Sequence, residues 1–200
     1  MTITTIFGTS RSRAFRVLWA AKELGVSFVH EPIDWQTCAK DPVYLAVNPA
    51  GSVPCLKEGE FVLAESLAIN LYLARKHSSL SPSTNSGQAL ALQWSFWAAT
   101  SLEDPYVRWA LNTHWLPKHL RNAEAAMTAL NDLSRPLARL EAALCADRWL
   151  IEGRFTIADL NVASVLSSMN GSAVNEWPSV SRWLASCVQR PAFKEAAALP

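Results

Sequence analysis

The sequence predicts a chain of α+β/α class, with a βαβ-ββα part first and an all-helical part second. Short β-branched segments bounded by glycine lie within residues 1–78. A segment rich in serine follows, and beyond it leucines recur at the spacing of one helix face. We therefore expect a first domain over 1–78, a linker over 79–88 and an all-helical domain over 89–200.

The chain begins with a pattern that predicts a parallel crossover unit. Residues 2–7 are β-branched or aromatic and end at Gly8, which indicates a strand and a turn. Arg13–Leu24 carries apolar residues at helical spacing, and Gly25 stands where such a helix would end. Ser27–Ile33 is a second candidate strand. Strand, helix and strand in this order predict a βαβ unit.

A hairpin and a helix are predicted next. Val53–Lys57 and Phe61–Ala64 flank the turn Glu58-Gly59-Glu60, which is typical of a β-hairpin. Ser66–Arg75 then places leucine and alanine on one stripe of a helix. The polar residues from His77 to Gln88 break regular structure and indicate the linker.

Helical patterns fill the second part. Steps of three and four residues, as in a helix packed in a bundle, connect Leu130, Leu133, Leu137, Leu140 and Leu144. Thr156–Asp159 has a threonine at an N-cap position and an acid three residues later, so a buried helix should begin there. Pro178 before Val180, Trp183 and Leu184 indicates a final helix, and Arg190–Phe193 indicates a docked tail after it.

Composition and charge narrow the classes of function. The 200 residues are 50% hydrophobic and 18% charged, which is typical of a chain with a packed core. Eighteen basic residues against seventeen acidic ones leave a net charge of +1, so we expect no nucleic-acid partner. No apolar run approaches the roughly 20 residues that span a bilayer, and residues 1–7 lack the features of a secretion signal. We expect a cytoplasmic protein without a membrane partner.

The residue types that most often bind metals are scattered along the chain. The four cysteines form no Cys-x-x-Cys pair, and His114 and His119 are five positions apart, off a shared helical face. We expect reduced thiols and no metal site. The nine tryptophans are interpreted first as core and interface residues and second as the wall of a ligand cleft.

The segment Asn48–Pro54 ends in a proline at the entrance to a predicted strand. The residues alone leave a cis and a trans Val53–Pro54 bond open. A cis bond would reverse the chain and leave the Val53 N–H and C=O free to pair with an extended peptide ligand. A trans bond would be an ordinary start of a strand.

Two further motifs can bind an anion. Glu65-Ser66 precedes a helix whose first N–H groups attract a carboxylate, although a simple helix cap also explains the pair. Ser10-Arg11-Ser12-Arg13 sets two hydroxyls and two cations at the end of the first strand, where the serines can also serve as helix caps. No Gly-x-Gly-x-x-Gly or Gly-x-Ser-x-Gly motif supports a dinucleotide site or a serine hydrolase.

Taken in chain order, the motifs form a recognisable set. They are the hydroxyls after the first strand, Asn48–Pro54, Glu65–Ile69, the polar linker, Phe155–Asp159 and Arg190–Phe193. In order and spacing this set resembles a cytosolic glutathione transferase of the Ser type, similar to bacterial theta-like enzymes, over nearly the whole chain. The resemblance implies a thioredoxin-like first domain, a helical second domain, a homodimer, and glutathione as cosubstrate without a metal.

The resemblance also implies site residues. A serine hydroxyl would hydrogen-bond the glutathione sulfur, and Ser12 is preferred to Ser10 because it lies four positions before Arg16, as in theta-like relatives. A cis Val53–Pro54 bond would bind the peptide backbone, and Glu65-Ser66 would bind the γ-glutamyl end. The resemblance further implies that the glycyl carboxylate contacts Ser52, Lys40 or Arg11, and that Asp104 reaches the γ-glutamyl amine across a dimer. It also implies an electrophile pocket, whose walls would be Trp97, Trp109 and Trp115. Core packing explains these three tryptophans equally well.

The expected activity is conjugation of the glutathione thiolate to a hydrophobic electrophile, with peroxide reduction as a related activity. A noncatalytic binding or regulatory relative and a glutathione-dependent isomerase or dehalogenase are the alternatives. Ser52 departs from the longer side chain that many relatives carry at this position, which is why Lys40 and Arg11 are considered for the glycyl carboxylate.

Overall fold

A computed structural model describes residues 3–169 and 174–200 of the chain. It comprises two compact units, one formed by residues up to Ser81 together with Gln189–Pro200, the other by Pro82–Val188. The domains predicted from the sequence differ from these two units, because residues 189–200 were expected in the helical domain 89–200. Thr2, expected in the first strand, lies outside the described residues. No helix among those described is both long and apolar enough to cross a membrane.

The first unit is built on a four-stranded sheet of order β2-β1-β3-β4. Its elements are β1 (Thr4–Phe7), α1 (Ala14–Glu23), β2 (Phe28–Glu31), α2 (Pro42–Val47), β3 (Cys55–Glu58), β4 (Phe61–Ala64) and α3 (Ser66–His77). β1 pairs in parallel with β2 and antiparallel with β3, which pairs antiparallel with β4. The thioredoxin-like βαβ-ββα order is thereby confirmed, with most strand and helix ends shifted by one or two residues.

Helix α2 and the short 3₁₀ turn Cys38–Lys40 before it are additional to the predicted order. The Asp41 carboxylate caps α2 by accepting hydrogen bonds from the N–H groups of Val43 (2.9 Å) and Tyr44 (3.2 Å), and Pro42 occupies the first helical position. An acid followed by proline is a recognised start signal for a helix, so the sequence did contain the information.

A buried carboxylate links α3 to the sheet. Glu58 on β3 accepts hydrogen bonds from Thr4 Oγ1, Tyr72 Oη and Lys76 Nζ, each at 2.6 Å. Burial alone would raise the pKa of the Glu58 carboxyl, but the hydrogen bonds from Lys76, Thr4 and Tyr72 outweigh it and hold the pKa below its ordinary value. The ionised form is therefore the one that the fold stabilises.

The second unit consists of helices in all its described elements. They are α4 (Asn85–Trp97), α5 (Glu103–Ala110), α6 (Ala123–Ala146), α7 (Ile157–Leu166) and α8 (Pro178–Val188), with π-helical turns at Ala98–Leu102 and Leu111–Trp115 and a 3₁₀ turn at Lys118–Leu120. The predicted leucine seam lies on α6, where all but the half-buried Leu130 are buried. Asn85–Gln88, expected in the linker, is helical because Thr84 Oγ1 accepts a hydrogen bond from Gly87 N–H and so caps α4.

The predicted capping box at the start of α7 is confirmed. Thr156 and Asp159 exchange hydrogen bonds with each other's backbone, and every residue of α7 is buried. Asp159 Oδ1 also accepts hydrogen bonds from Leu150 N–H and Trp183 Nε1, at 3.0 and 2.9 Å. Burial raises the pKa of Asp159 despite these donors. One carboxylate thus joins α7, α8 and the segment before them.

The predicted final helix is α8, and the segment expected as a docked tail forms a further helix, α9 (Pro191–Ala197), which packs in the first unit against α1. Phe193 forms edge contacts with Phe15 and Trp19, with ring centroids 5.0 Å apart in both cases. These contacts help to bury Trp19 completely. The docked tail expected from the sequence is therefore present.

We predict that Glu58→Gln lowers the free energy of unfolding by about 2 kcal/mol at pH 7, because a charged acceptor of three hydrogen bonds is lost. The folded pKa of Glu58 is below its unfolded value, so its contribution is complete above the unfolded value and is lost as the pH falls toward the folded one. Urea unfolding between pH 7 and pH 3 should show a steeper loss in the native protein than in the variant. Glu60→Gln, in the exposed hairpin turn, is the control, and parallel pH curves for native and Glu58→Gln proteins would contradict the prediction.

Candidate functional site

The turn between β1 and α1 lies directly against Val53. Gly8 has a φ of +118°, and a Cβ atom there would come within 2.7 Å of Ala14 Cβ and 3.0 Å of Val53 Cβ. Only glycine fits this position without a shift of its neighbours. The contact brings the segment Ser10–Arg13 next to the loop that precedes β3.

Ser12 lies half-buried at the start of α1. Its Oγ donates a hydrogen bond to the Thr9 carbonyl (2.8 Å) and accepts one from Ala14 N–H (3.1 Å). The Thr9 carbonyl also accepts a hydrogen bond from Ser12 N–H at 3.1 Å. The hydroxyl therefore serves as a local cap, and the carbonyl that it contacts has a second donor.

Ser10 has different partners. Its Oγ donates to the Leu199 carbonyl at 2.6 Å, and its N–H donates to the Pro200 carbonyl at 2.9 Å. The single hydroxyl proton of Ser10 is thus directed to the C-terminal residues. The hydroxyl of Ser12, two positions away, instead donates within its own turn, to the Thr9 carbonyl.

The Val53–Pro54 peptide bond is cis. The loop before it is fixed through the Ser52 carbonyl, which accepts hydrogen bonds from Tyr44 Oη (2.6 Å) and Asn48 Nδ2 (2.8 Å). Within residues 3–169 and 174–200, the N–H and C=O groups of Val53 have no hydrogen-bond partner. Val53 therefore presents one backbone donor and one backbone acceptor for an extended ligand.

The start of α3 combines an unusual backbone with a positive potential. Glu65 has a φ of 70°, a region that non-glycine residues rarely adopt, and no side chain of the described residues caps the helix. Buried Ser66 is its first residue, and Arg16 Nη1 lies 3.4 Å from Ser66 Oγ. Arg16 is 7% exposed, so the field of its guanidinium adds to that of the helix end. This arrangement favours a carboxylate.

Arg16 is a candidate site residue that the sequence analysis did not propose, because it used Arg16 only for its spacing from Ser12. Its position four residues after Ser12 places both on one face of the start of α1. This spacing of four residues is the feature of the sequence that could have indicated Arg16. Its contact with Ser66, by contrast, joins residues fifty positions apart and depends on the fold.

The other proposed glutathione contacts lie at the surface. Arg11, Lys40 and Ser52 have exposed side chains. Asp104 is exposed on α5 and accepts a hydrogen bond from Arg108 Nε at 3.0 Å, while Arg108 Nη2 donates to Asp132 at 2.9 Å. In the described parts of the chain, no three His, Cys, Asp or Glu side chains are grouped to hold a metal ion.

The three tryptophans proposed for the electrophile pocket fall into two groups within the second unit. Trp97 packs edge-on against Trp94, and the Arg139 guanidinium lies over both rings at 5.1–5.2 Å. Trp109 and Trp115 belong to a second group, here called the aromatic cluster, with Tyr106 and His114. The structure does not bring Trp97 into that cluster.

The aromatic cluster contains polar groups that the sequence analysis missed. Ser168 Oγ contacts Tyr106 Oη and lies 3.2 Å from His114 Nε2, while His114 Nδ1 lies 2.8 Å from Thr113 Oγ1. Burial and then the nearby Arg121 charge lower the pKa of His114. The lowered pKa favours the neutral imidazole. No sequence motif links Ser168 to His114, so only the fold reveals the contact.

Comparison with known proteins supports one family. The chain matches the N-terminal glutathione S-transferase domain over residues 3–75 and the C-terminal domain over residues 103–191. It is 32% identical over 199 residues to glutathione S-transferase 3 of Zea mays, covering 92% of this chain and 89% of that protein. The theta-class glutathione S-transferase of Xanthomonas axonopodis pv. citri, solved with glutathione bound, is 29% identical with a TM-score of 0.88, covering 99% and 98% of the two chains.

A second kind of relative is elongation factor 1-gamma. The human protein is 29% identical over 192 residues, which cover 91% of this chain and 43% of that protein. This chain thus spans less than half of the elongation factor's length. The two domain matches, together with the maize relative, extend over most of the sequence. The chain belongs to the glutathione S-transferase family.

Proposed function

We propose that the protein binds glutathione in its first unit and conjugates it to a hydrophobic electrophile, so that the thiolate forms a bond to the electrophile and a leaving group such as chloride departs. The observation that carries the proposal is the juxtaposition of three features. The β1–α1 turn with Ser12 contacts Val53 through Gly8, Val53 offers an unpaired backbone, and Arg16 connects α1 to the uncapped start of α3. Together these features match the shape and charges of a tripeptide that carries a thiol.

Each part of glutathione has a complementary group. The cysteinyl backbone pairs with the Val53 N–H and C=O groups, in the manner of an added strand. The γ-glutamyl carboxylate binds at the start of α3, where the first N–H groups, Ser66 and the Arg16 charge favour an anion. The glycyl carboxylate, at the other end of the tripeptide, is assigned to exposed Lys40, Arg11 or Ser52.

Activation of the sulfur depends on lowering its pKa. A thiol with a pKa of about 8.5 is roughly 7% ionised at pH 7.4, and a decrease of about two units raises this to roughly 90%. Ser12 supplies a hydroxyl donor to the thiolate, with the positive end of α1 adjacent. Ala14 N–H donates to Ser12 Oγ and so polarises the hydroxyl, making it a better donor.

The hydroxyl can turn from the Thr9 carbonyl to the sulfur at low cost. The carbonyl retains its hydrogen bond from Ser12 N–H at 3.1 Å, so no buried acceptor is left without a donor. Ser12 acts as a hydrogen-bond donor and takes no proton. The remaining acceleration comes from holding the thiolate and the electrophile together.

The second substrate is assigned to the aromatic cluster of the second unit. Half-exposed Trp115 and buried Trp109 offer apolar ring surfaces, and Ser168 and His114 offer polar groups beside them. An aromatic electrophile or a hydroperoxide fits this chemistry. Trp97 is a weaker candidate than in the sequence analysis, because Trp94 and Arg139 cover its ring.

A noncatalytic glutathione-binding role is the second candidate. The hydroxyl of Ser12 already has a carbonyl acceptor, as in an ordinary helix cap, and elongation factor 1-gamma is among the relatives. An isomerase or dehalogenase would use the same glutathione contacts with another second substrate. These candidates share the binding groups and differ in what Ser12 does or in which electrophile is accepted.

We further propose a cytoplasmic homodimer, as the resemblance to the family implies. Apolar side chains are exposed on one element of each unit, at Phe61 and Val62 on β4 and at Leu92 and Phe96 on α4. Such side chains are suited to an interface between copies. In that dimer Asp104 would approach the γ-glutamyl amine of the partner's glutathione. Sedimentation equilibrium should give twice the chain mass, and a mass of 22.0 kDa would contradict the dimer.

Substitution of Ser12 tests activation directly. We predict that Ser12→Ala raises the apparent pKa of bound glutathione by about two units and lowers kcat/KM at pH 6.5 by at least tenfold, because the thiolate loses its donor. Conjugation of an aromatic chloride should be followed from pH 5.5 to 9. Ser27→Ala, an exposed serine of the same unit, is the control. An unchanged pH profile in Ser12→Ala would contradict the role of Ser12 in activation, whereas a native protein that conjugates no faster than the uncatalysed reaction would favour the noncatalytic candidate.

Substitution of Ser66 tests binding separately from activation. We predict that Ser66→Ala weakens glutathione binding about tenfold, as expected for loss of one hydrogen bond to a charged group, and leaves the thiol pKa unchanged. Isothermal calorimetry with glutathione gives the affinity, and the pH profile gives the pKa. Equal affinities for Ser66→Ala and Ser27→Ala would remove the start of α3 from the proposed site.

A further inference from the structure

The last residues of the chain lie along the whole length of α1. We call Arg190–Pro200 the C-terminal segment. Arg190 binds Glu23 at the end of α1, with Nε donating to Oε1 at 2.9 Å and Nη2 donating to the same oxygen. Lys22 Nζ lies 3.7 Å from Glu195 Oε2. One end of the segment is thus bound to the last turn of the helix.

The middle of the segment is bound by aromatic packing. Phe193 contacts Phe15 and Trp19 edge-on, at interplanar angles of 79° and 87°. Trp19 is fully buried, and its Nε1 donates to Glu23 Oε2 at 3.4 Å. Ionic and aromatic contacts therefore fix the segment to a rigid helix rather than to a loop.

The other end of the segment contacts the β1–α1 turn. Ser10 donates two hydrogen bonds, from Oγ to Leu199 and from N–H to Pro200. Among the described residues, the hydrogen bonds of Ser12 go only to Thr9, Ala14 and Phe15, which belong to the same turn and the start of the helix. Ser10 is thus where the C-terminal segment holds the turn, two positions from the proposed catalytic hydroxyl.

We propose that the C-terminal segment is a positioning element for sulfur activation, acting through Ser10 on Ser12. This inference rests on the proposed function of Ser12. A hydroxyl stabilises a thiolate only at hydrogen-bond distance and with good alignment, so small displacements of the turn weaken the interaction. Leu199 and Pro200 provide restraint from outside the turn.

Loss of the Ser10 contacts should affect activation of the sulfur and not binding of glutathione, whereas a general loss of stability would affect both. Two of the groups assigned to glutathione binding, Val53 and Ser66, lie outside the β1–α1 turn, and no hydrogen bond within the described residues joins them to the C-terminal segment. Loss of the Ser10 contacts should therefore raise the thiol pKa and lower kcat below that pKa. The affinity for glutathione should stay within about twofold when it is measured at about pH 5.5, where the bound thiol is largely protonated in every variant.

The experiment compares Ser10→Ala, Ser10→Thr and a chain ending at Ala198 with the native protein. The pH dependence of thiolate absorbance measures the pKa of bound glutathione, and calorimetry measures affinity. We expect the pKa to rise by about half a unit in Ser10→Ala and by about one unit in the shortened chain, which means about three- to tenfold less thiolate at low pH. Ser10→Thr retains a hydroxyl and should restore the native profile. Ser27→Ala is the control.

The results test the positioning role of the C-terminal segment separately from the proposed function of Ser12. If Ser12→Ala raises the pKa but Ser10→Ala and the shortened chain keep the native profile, the positioning role is wrong and the proposed function stands. A parallel loss of affinity and thermal stability without a pKa change likewise overturns the positioning role alone. If the native protein does not lower the pKa of glutathione at all, both the inference and the catalytic proposal are wrong.

Discussion

The close approach of the chain at Gly8 is the constraint on which the candidate site depends. Ala14 on one side and Val53 on the other leave no room for a Cβ atom, so the β1–α1 turn and the loop before β3 touch without an intervening side chain. That contact joins the turn that contains Ser12 to the loop that contains the unpaired backbone of Val53. A larger residue at position 8 would have to move one of them, and a hydroxyl and a backbone pair that are separated cannot bind one tripeptide.

Local patterns predicted most of the first unit and one cap of the second. The β4 strand follows from the turn Glu58-Gly59-Glu60, the start of α3 from a Glu-Ser pair, and the capping box at Thr156 from a four-residue motif, because each of these signals is contained within a few residues. Helix α2 was missed although Asp41 and Pro42 indicated it, since a six-residue helix has too little periodicity to show. The packing of Gln189–Pro200 with the first unit depends on Phe193 meeting Trp19, which no local pattern encodes.

The same limit applies to the two serines. Sequence places Ser10 and Ser12 in equivalent surroundings, beside arginines and before a helix. Their hydrogen bonds differ because residues almost two hundred positions away bind one of them. Likewise Arg16 could be placed on the face of Ser12, but not beside Ser66. What the sequence supplies is a set of candidate groups, and long-range contacts decide which of them retain a free hydrogen-bonding capacity.

The start of α3 carries two features that do not favour the fold by themselves. Glu65 at a φ of 70° costs on the order of 1 kcal/mol, and no side chain of the described residues caps the helix end. A helix start with only a structural role would have glycine at position 65 and a capping hydroxyl, as α4 has with Thr84. A bound carboxylate would accept hydrogen bonds from the first N–H groups of α3 and so supply the missing cap, which supports the proposed ligand at this end of the helix. These features of α3 concern binding and not activation of the sulfur. The choice between an enzyme and a binding protein therefore depends on the orientation of the Ser12 hydroxyl.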